Sequence, residues 1–170
     1  MLYGKDLIEQ LKSENELMRQ NIENRYSRID AGLTDIDDCF ISQRCEERGI
    51  SINREKIALI ENGGCDWFLE YATLDGTLVN AKWCDTRYGY KLRAEMPDGK
   101  IVWTTADTKK GLAKKGLKKV RCYRPAWFVF RSSGAGMLGA YSGTYVPFPS
   151  DVNYATGEAA GKDPIRIEEI

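Results

Sequence analysis

The chain has 170 residues, 42% of them hydrophobic and 11% aromatic, with 25 basic and 25 acidic side chains and no histidine. That is enough apolar material for a folded core and too much for wholesale disorder. The missing histidine removes Ser-His-Asp and Cys-His nucleophile activation, the commonest general base, and histidine-based metal sites.

No run of 18 apolar residues occurs, so no membrane-spanning helix is expected. The N-terminus is charged by Lys5, which argues against a secretory signal and for a cytoplasmic protein. The zero net charge is unevenly spread. Residues 1–62 carry a net −4, residues 63–131 a net +7 and residues 132–170 a net −3. The middle segment is therefore the one expected to face an anionic partner.

The first segment reads as helix. Ile8, Asn15, Ile22 and Ile29 fall seven apart, and Leu11 and Met18 take the second apolar position of the heptad. This seam predicts either a homodimeric coiled coil, with Asn15 fixing register, or an amphipathic helix folded onto its own domain. Gly32 suits a helix stop, and Thr34 with Asp37 resembles the start of a second helix with Ile36, Phe40 and Ile41 on its apolar side. "SINREKIALIENGG" continues or restarts that helix, with Ile57 and Ile60 on one face and Gly63-Gly64 as its end.

From Cys65 the apolar period becomes two. "WFLEYATLDGTLVNAKW" predicts a hairpin around Asp75-Gly76, and "YGYKLRAEMPDGKIVWTT" a second one turning at Pro97-Asp98-Gly99. In the second, Tyr88, Tyr90, Leu92 and Ala94 are expected to be buried, opposite Lys91, Arg93 and Glu95. A short helix is expected from a cap at Asp107 to Gly116, followed by a strand. Four of the five expected strands carry a tryptophan (Trp67, Trp83, Trp103, Trp127), which suggests an aromatic core. The residues after Ala155 lack a packing pattern and are expected to lie along the surface or to move.

The fold class is therefore α+β: an N-terminal helical, coiled-coil-like region (1–64), a small twisted antiparallel sheet or half-open barrel (65–157) and a C-terminal tail (158–170). "GAGMLG", Gly134 to Gly139, matches a dinucleotide-binding pattern, but the βαβ context that would give it meaning is absent, so it reads as a glycine-rich loop. Five scattered cysteines without a C-x-x-C pair predict free thiols and no metal or cofactor.

One stretch carries a concentrated signal. "DTKKGLAKKGLKKVRCYRPAWFVF" and the following Arg131 hold nine cations: Lys109, Lys110, Lys114, Lys115, Lys118, Lys119, Arg121, Arg124 and Arg131. Strand alternation sets Lys119, Arg121 and Tyr123 on the face opposite Val120 and Cys122. Lysines for phosphate and an aromatic ring for a base are the ingredients of sequence-nonspecific binding to RNA or DNA. The competing reading is an edge strand kept soluble by charge.

"AKWCDTRYGYKLRAEMPDGKIVWTT" and "GMLGAYSGTYVPFPSDVNYATGE" resemble uncharacterised small accessory proteins carried by phages and prophages of Gram-positive gut bacteria. The likeness covers about residues 66–157, contains no motif of known chemistry and leaves out the helical part. It implies a mobile-element protein acting by binding, including as an anti-CRISPR inhibitor, with no catalytic residue to carry over. The resulting expectation is a non-catalytic inhibitor that docks on a host protein or nucleoprotein complex, such as a CRISPR effector, through its basic surface. The alternatives are a plain nucleic-acid-binding module, an enzyme using Cys84 or Cys122, and an assembly protein working through the coiled coil.

Overall fold

In the computed structural model, which describes residues 1–131 and 144–170, two long helices precede an antiparallel sheet that does not close. This is the expected α+β class, with the open sheet rather than the barrel. The elements are α1 (Gly4–Asp30), α2 (Ile36–Glu61), β1 (Cys65–Thr73), β2 (Leu78–Thr86), β3 (Gly89–Glu95), β4 (Ile101–Thr104), α3 (Lys109–Ala113), β5 (Leu117–Arg131), β6 (Thr144–Pro149) and β7 (Arg166–Glu169). They gather into two units, one of Met1–Asp66 with Pro125–Lys162, the other of Trp67–Arg124 with Asp163–Ile170.

In the first unit, α1 and α2 form a hairpin. Gly32, at φ +67°, ends α1 because a residue with a Cβ would be strained there; its N–H reaches the Ile29 carbonyl and that of Leu33 the Arg28 carbonyl, both at 2.9 Å. The cap of α2 is Asp35, which accepts the Asp37 N–H at 3.3 Å, and not Thr34. Ile36 and Phe40, expected on a packed side, are 58% and 54% exposed, because nothing in the short connection folds back over them.

The α1 seam is used within the chain. Of its members Leu11 and Asn15 are buried, with Leu7 buried next to the seam, while Ile8, Met18, Ile22 and Ile29 are half-buried. Leu7 and Leu11 pack with Ile60 of α2, and Ile8, Ile57, Trp127 and Tyr154 surround them. Further along, Gly49 leaves room for Met18, since a Cβ there would stand 2.7 Å from its sulfur. Polar contacts continue the seam: Arg25 pairs with Glu46, Asn21 donates to Glu46 at 3.2 Å and Asn53 donates to Glu14 at 3.3 Å. The Arg25 hydrogen bond holds the Glu46 carboxyl below its ordinary range against the opposing effect of burial.

The second unit is built on β-hairpins. The β1–β2 turn places Gly76 at φ +98°, and the β3–β4 turn places Gly99 at φ +82°, as the Asp-Gly pairs predict. Strand β2 pairs β3 with Trp83 opposite Leu92, and β3 pairs β4 with Leu92 opposite Thr104. The sheet order is β4-β3-β2-β1-β5, with β7 beside the first half of β5 and β6 beside its second half. The core is aliphatic: Leu92, Ala94, Leu112 and Leu117 have no exposed surface.

Three expectations change here. Only half of the tryptophans join a core: Trp83 and Trp127 pack against the buried clusters, while Trp67 and Trp103 are 46% and 44% exposed. Tyr88 and Tyr90 lie beyond the covered part of β3 at 79% and 64% exposure, although Leu92 and Ala94 are buried as alternation requires. The C-terminal residues form β7, whose Ile167 pairs with Cys122, because β5 offers a free edge along Val120–Tyr123. Gly134–Gly139 lies outside the described residues.

Helix α3 is anchored by a single buried side chain, Leu112, and capped by Thr108, one residue past the expected Asp107. Leu112→Ala is expected to lower stability by about 2–5 kcal/mol, the usual range for a large-to-small core change. Lys110→Ala on the same helix should shift it by less than about 0.5 kcal/mol. Urea denaturation of the two variants checks the difference.

Candidate nucleic-acid interface

Strand alternation divides the predicted basic residues between two faces of the second unit. Leu117 sits in the aliphatic core beneath α3, so Lys119, Arg121 and Tyr123 continue along that same face. Lys118 and Arg124 alternate with them and share the opposite face with Val120 and Cys122. The stretch is therefore not one surface.

Most of its cations meet acids. Lys119 pairs with Asp107 at 2.5 Å, Lys118 pairs with Glu169, and Lys109 donates to the Ile170 backbone oxygen at 3.2 Å. Arg124 holds Glu70 through two hydrogen bonds, Nε to Oε1 at 2.6 Å and a terminal nitrogen to Oε2 at 3.0 Å. That fork raises the arginine's pKa despite the opposing effect of burial. Tyr123 donates to Glu168 at 3.1 Å, and the Arg166 guanidinium lies 4.0 Å from the centre of its ring. Among the described residues, Lys110, Lys114 and Lys115 have no ion-pair partner, and all three are exposed on or beside α3.

The same face carries aromatic residues that the strand pattern alone assigns to a core. Trp67, Leu69 and Tyr71 alternate along β1, and Arg121 stands 4.9 Å above the Trp67 ring. Trp83 donates from Nε1 to the Tyr71 hydroxyl at 3.0 Å and lies nearly parallel to Tyr90, with an interplanar angle of 6° and centroids 6.0 Å apart. Trp67, Leu69 and Tyr90 keep 46%, 55% and 64% of their surface exposed. The signal that could have found them is the alternation in "WFLEYA", which sets Trp67, Leu69 and Tyr71 opposite Phe68, Glu70 and Ala72. A five-residue α3 is also too short to cover a six-stranded face.

The coiled-coil positions gather in the first unit, with Leu11 and Asn15 buried there. Asn15 Oδ1 has no hydrogen-bond partner among the described residues. The five cysteines are unlinked, and among the described residues no three metal-binding side chains converge. Cys84 is half-buried, with its thiol 3.7 Å from the Lys82 carbonyl.

Cys122 has no exposed surface, and its thiol pKa is pushed up to about 11, first by burial and then by the Glu70 carboxylate, with Arg124 opposing. The unfolded chain releases this proton near 9, so between about pH 9 and 11 the folded state binds more protons and loses stability as pH rises. Cys122→Ala is expected to show a shallower alkaline loss of stability than the parent in thermal melts across that window. Native alkylation at pH 8 should modify the exposed Cys45 well before Cys122.

No family model, curated protein or solved structure matches the chain.

Proposed function

We propose that this chain is a non-catalytic binding protein that contacts nucleic acid, with a host nucleoprotein complex as its target. The resemblance to phage accessory proteins supplies the setting, an anti-defence inhibitor of the anti-CRISPR kind acting in the host cytoplasm. The observation that carries the reading is the exposed trio Lys110, Lys114 and Lys115, held at one end of the sheet by Leu112. Three cations without carboxylate partners, in a chain of zero net charge, form a local anion-attracting surface. They share their side of the sheet with Arg121, whose guanidinium lies over the Trp67 ring while its cross-strand neighbour Glu168 pairs with Arg166. Lys118 and Arg124 take a structural role in this reading, because Glu169 and Glu70 already neutralise them.

Replacing Lys110, Lys114 and Lys115 by Gln should weaken binding to a fluorescein-labelled oligonucleotide. It should also flatten the slope of log affinity against log salt by roughly 0.7–0.9 for each phosphate that is no longer neutralised. Fluorescence anisotropy between low and physiological salt measures both. Unchanged affinity and slope would leave α3 as solvated surface and overturn the reading.

A homodimer is the second element of the proposal. Leu11 and Asn15 are already covered within the chain, so a second copy would use the remaining apolar surface of the hairpin: half-buried Ile22 and Ile29 with exposed Leu33, Ile36 and Phe40. Light scattering at tens of micromolar is then expected to give twice the chain mass, and Phe40→Asp to give the chain mass alone. A monomeric parent protein removes this element without touching the nucleic-acid reading.

A further inference from the structure

We propose that the open part of the α3-bearing face binds an unpaired stretch of polynucleotide, with bases stacking on Trp67 and Tyr90 and phosphates meeting Arg121 and the α3 lysines. This inference rests on the nucleic-acid reading above and names its substrate class.

Little of the face is covered. Helix α3 has five residues, about 7 Å of axis, against six strands spaced about 4.8 Å apart. It seals Leu92, Ala94 and Leu117, and leaves the Trp67 and Tyr90 region to solvent. Trp67 on β1 and Tyr90 on β3 are large rings left outside the core on either side of β2, and Tyr90 is held in place by its parallel contact with Trp83 of β2. The Trp83–Tyr71 hydrogen bond fixes that pair in turn.

Charge selects the occupant. The cations on this face are Arg121, Lys119, Arg166 and the three unpaired lysines; the acids are Asp107, Glu168 and Asp85. Asp107 is engaged by Lys119 and Glu168 by Arg166, which leaves Arg121 and the three lysines as four cations against the single carboxylate of Asp85, the cross-strand neighbour of Tyr90. A partner that is flat, apolar in plane and negatively charged along its length satisfies both features. Unpaired polynucleotide has that chemistry, whereas a duplex keeps its base faces stacked internally and offers only phosphates. The Arg121 guanidinium lies over one face of Trp67, so a base stacked on the other face or on the guanidinium meets a ring and a cation together.

The test compares the full-length protein with oligo-dT, oligo-rU and a mixed-sequence DNA duplex of equal length at one salt concentration. The single strands are expected to bind more tightly than the duplex. Trp67→Ala and Tyr90→Ala should each weaken single-strand binding about tenfold or more while leaving duplex binding and the salt slope unchanged. Trp67→Phe should restore much of the affinity, and far-ultraviolet circular dichroism of Trp67→Ala should match the parent. Relative affinity for oligo-dT and oligo-rU identifies DNA or RNA as the source of the strand.

Equal binding of duplex and single strand, with no effect of Trp67→Ala, would overturn the stacking inference and leave the lysine reading intact. Absence of binding to every oligonucleotide would overturn both. If a misfolded Trp67→Ala obscures the comparison, Tyr90→Ala and Arg121→Gln decide it, since neither residue is buried. Loss of a protein partner on Trp67→Ala, without any oligonucleotide affinity, would assign the face to protein docking and overturn the proposal.

Discussion

The period-two alternation of β5 is the constraint on which the second unit depends. A side chain at Leu117 must enter the aliphatic core, so Lys119, Arg121 and Tyr123 emerge on that side, while Val120 and Cys122 are driven to the other. A slip of one residue would bring Lys118 into the place of Leu117 and Lys119 or Arg121 into the place of Val120 beside Ala72. The burial of Leu117, Val120 and Cys122, all essentially without exposed surface, locks the register far more strongly than the exposed ion pairs could.

Ion pairs then set which cations remain available. The fork between Arg124 and Glu70 is the best sheltered of them, with side chains 17% and 26% exposed, and it sits beside the buried Cys122 thiol. Removing Glu70 would deprive a partly desolvated guanidinium of that anion, so the pair belongs to the architecture of the sheet. Lys119 and Asp107, at 28% and 59%, are more open to water. A polyanion can compete for such a lysine at little free-energy penalty, because exposed pairs stabilise by about 0–1 kcal/mol. The cations of this unit thus grade from paired ones on one face to unpaired ones around α3.

The first unit solves a different problem, joining two helices with few large apolar side chains. Its apolar contacts gather near the open end of the hairpin, where Trp127 and Tyr154 stack at 3.8 Å against the Leu7, Leu11 and Ile60 cluster. The Lys56 ammonium lies 5.3 Å from the centre of the Trp127 ring, and burial lowers its pKa while Glu14 raises it. Towards the closed end, polar pairs such as Arg25 with Glu46 replace apolar packing. The apolar residues of the connection itself remain in solvent.

Local chemistry is legible in the sequence by itself. The Asp-Gly turns, the glycine stops at Gly32 and Gly63-Gly64, the change of period at Cys65 and the alternation of Val120 and Cys122 against Arg121 all follow from backbone sterics acting over a few residues. Which partner each side chain meets across the chain is not legible there. Glu70, Asp107 and Glu169 lie 54, 12 and 51 positions from the cations they neutralise, and only the folded sheet brings them together. Composition points the tryptophans to a core because large rings are usually buried. The exposure of Trp67 is decided by the extent of the one short helix that covers its face, and that of Trp103 by its place opposite Arg93 on the other face, tertiary quantities with no local signature. Likewise the heptad seam carries the apolar pattern of a helix pair, but whether its partner is α2 or another chain depends on the turn that folds α2 back.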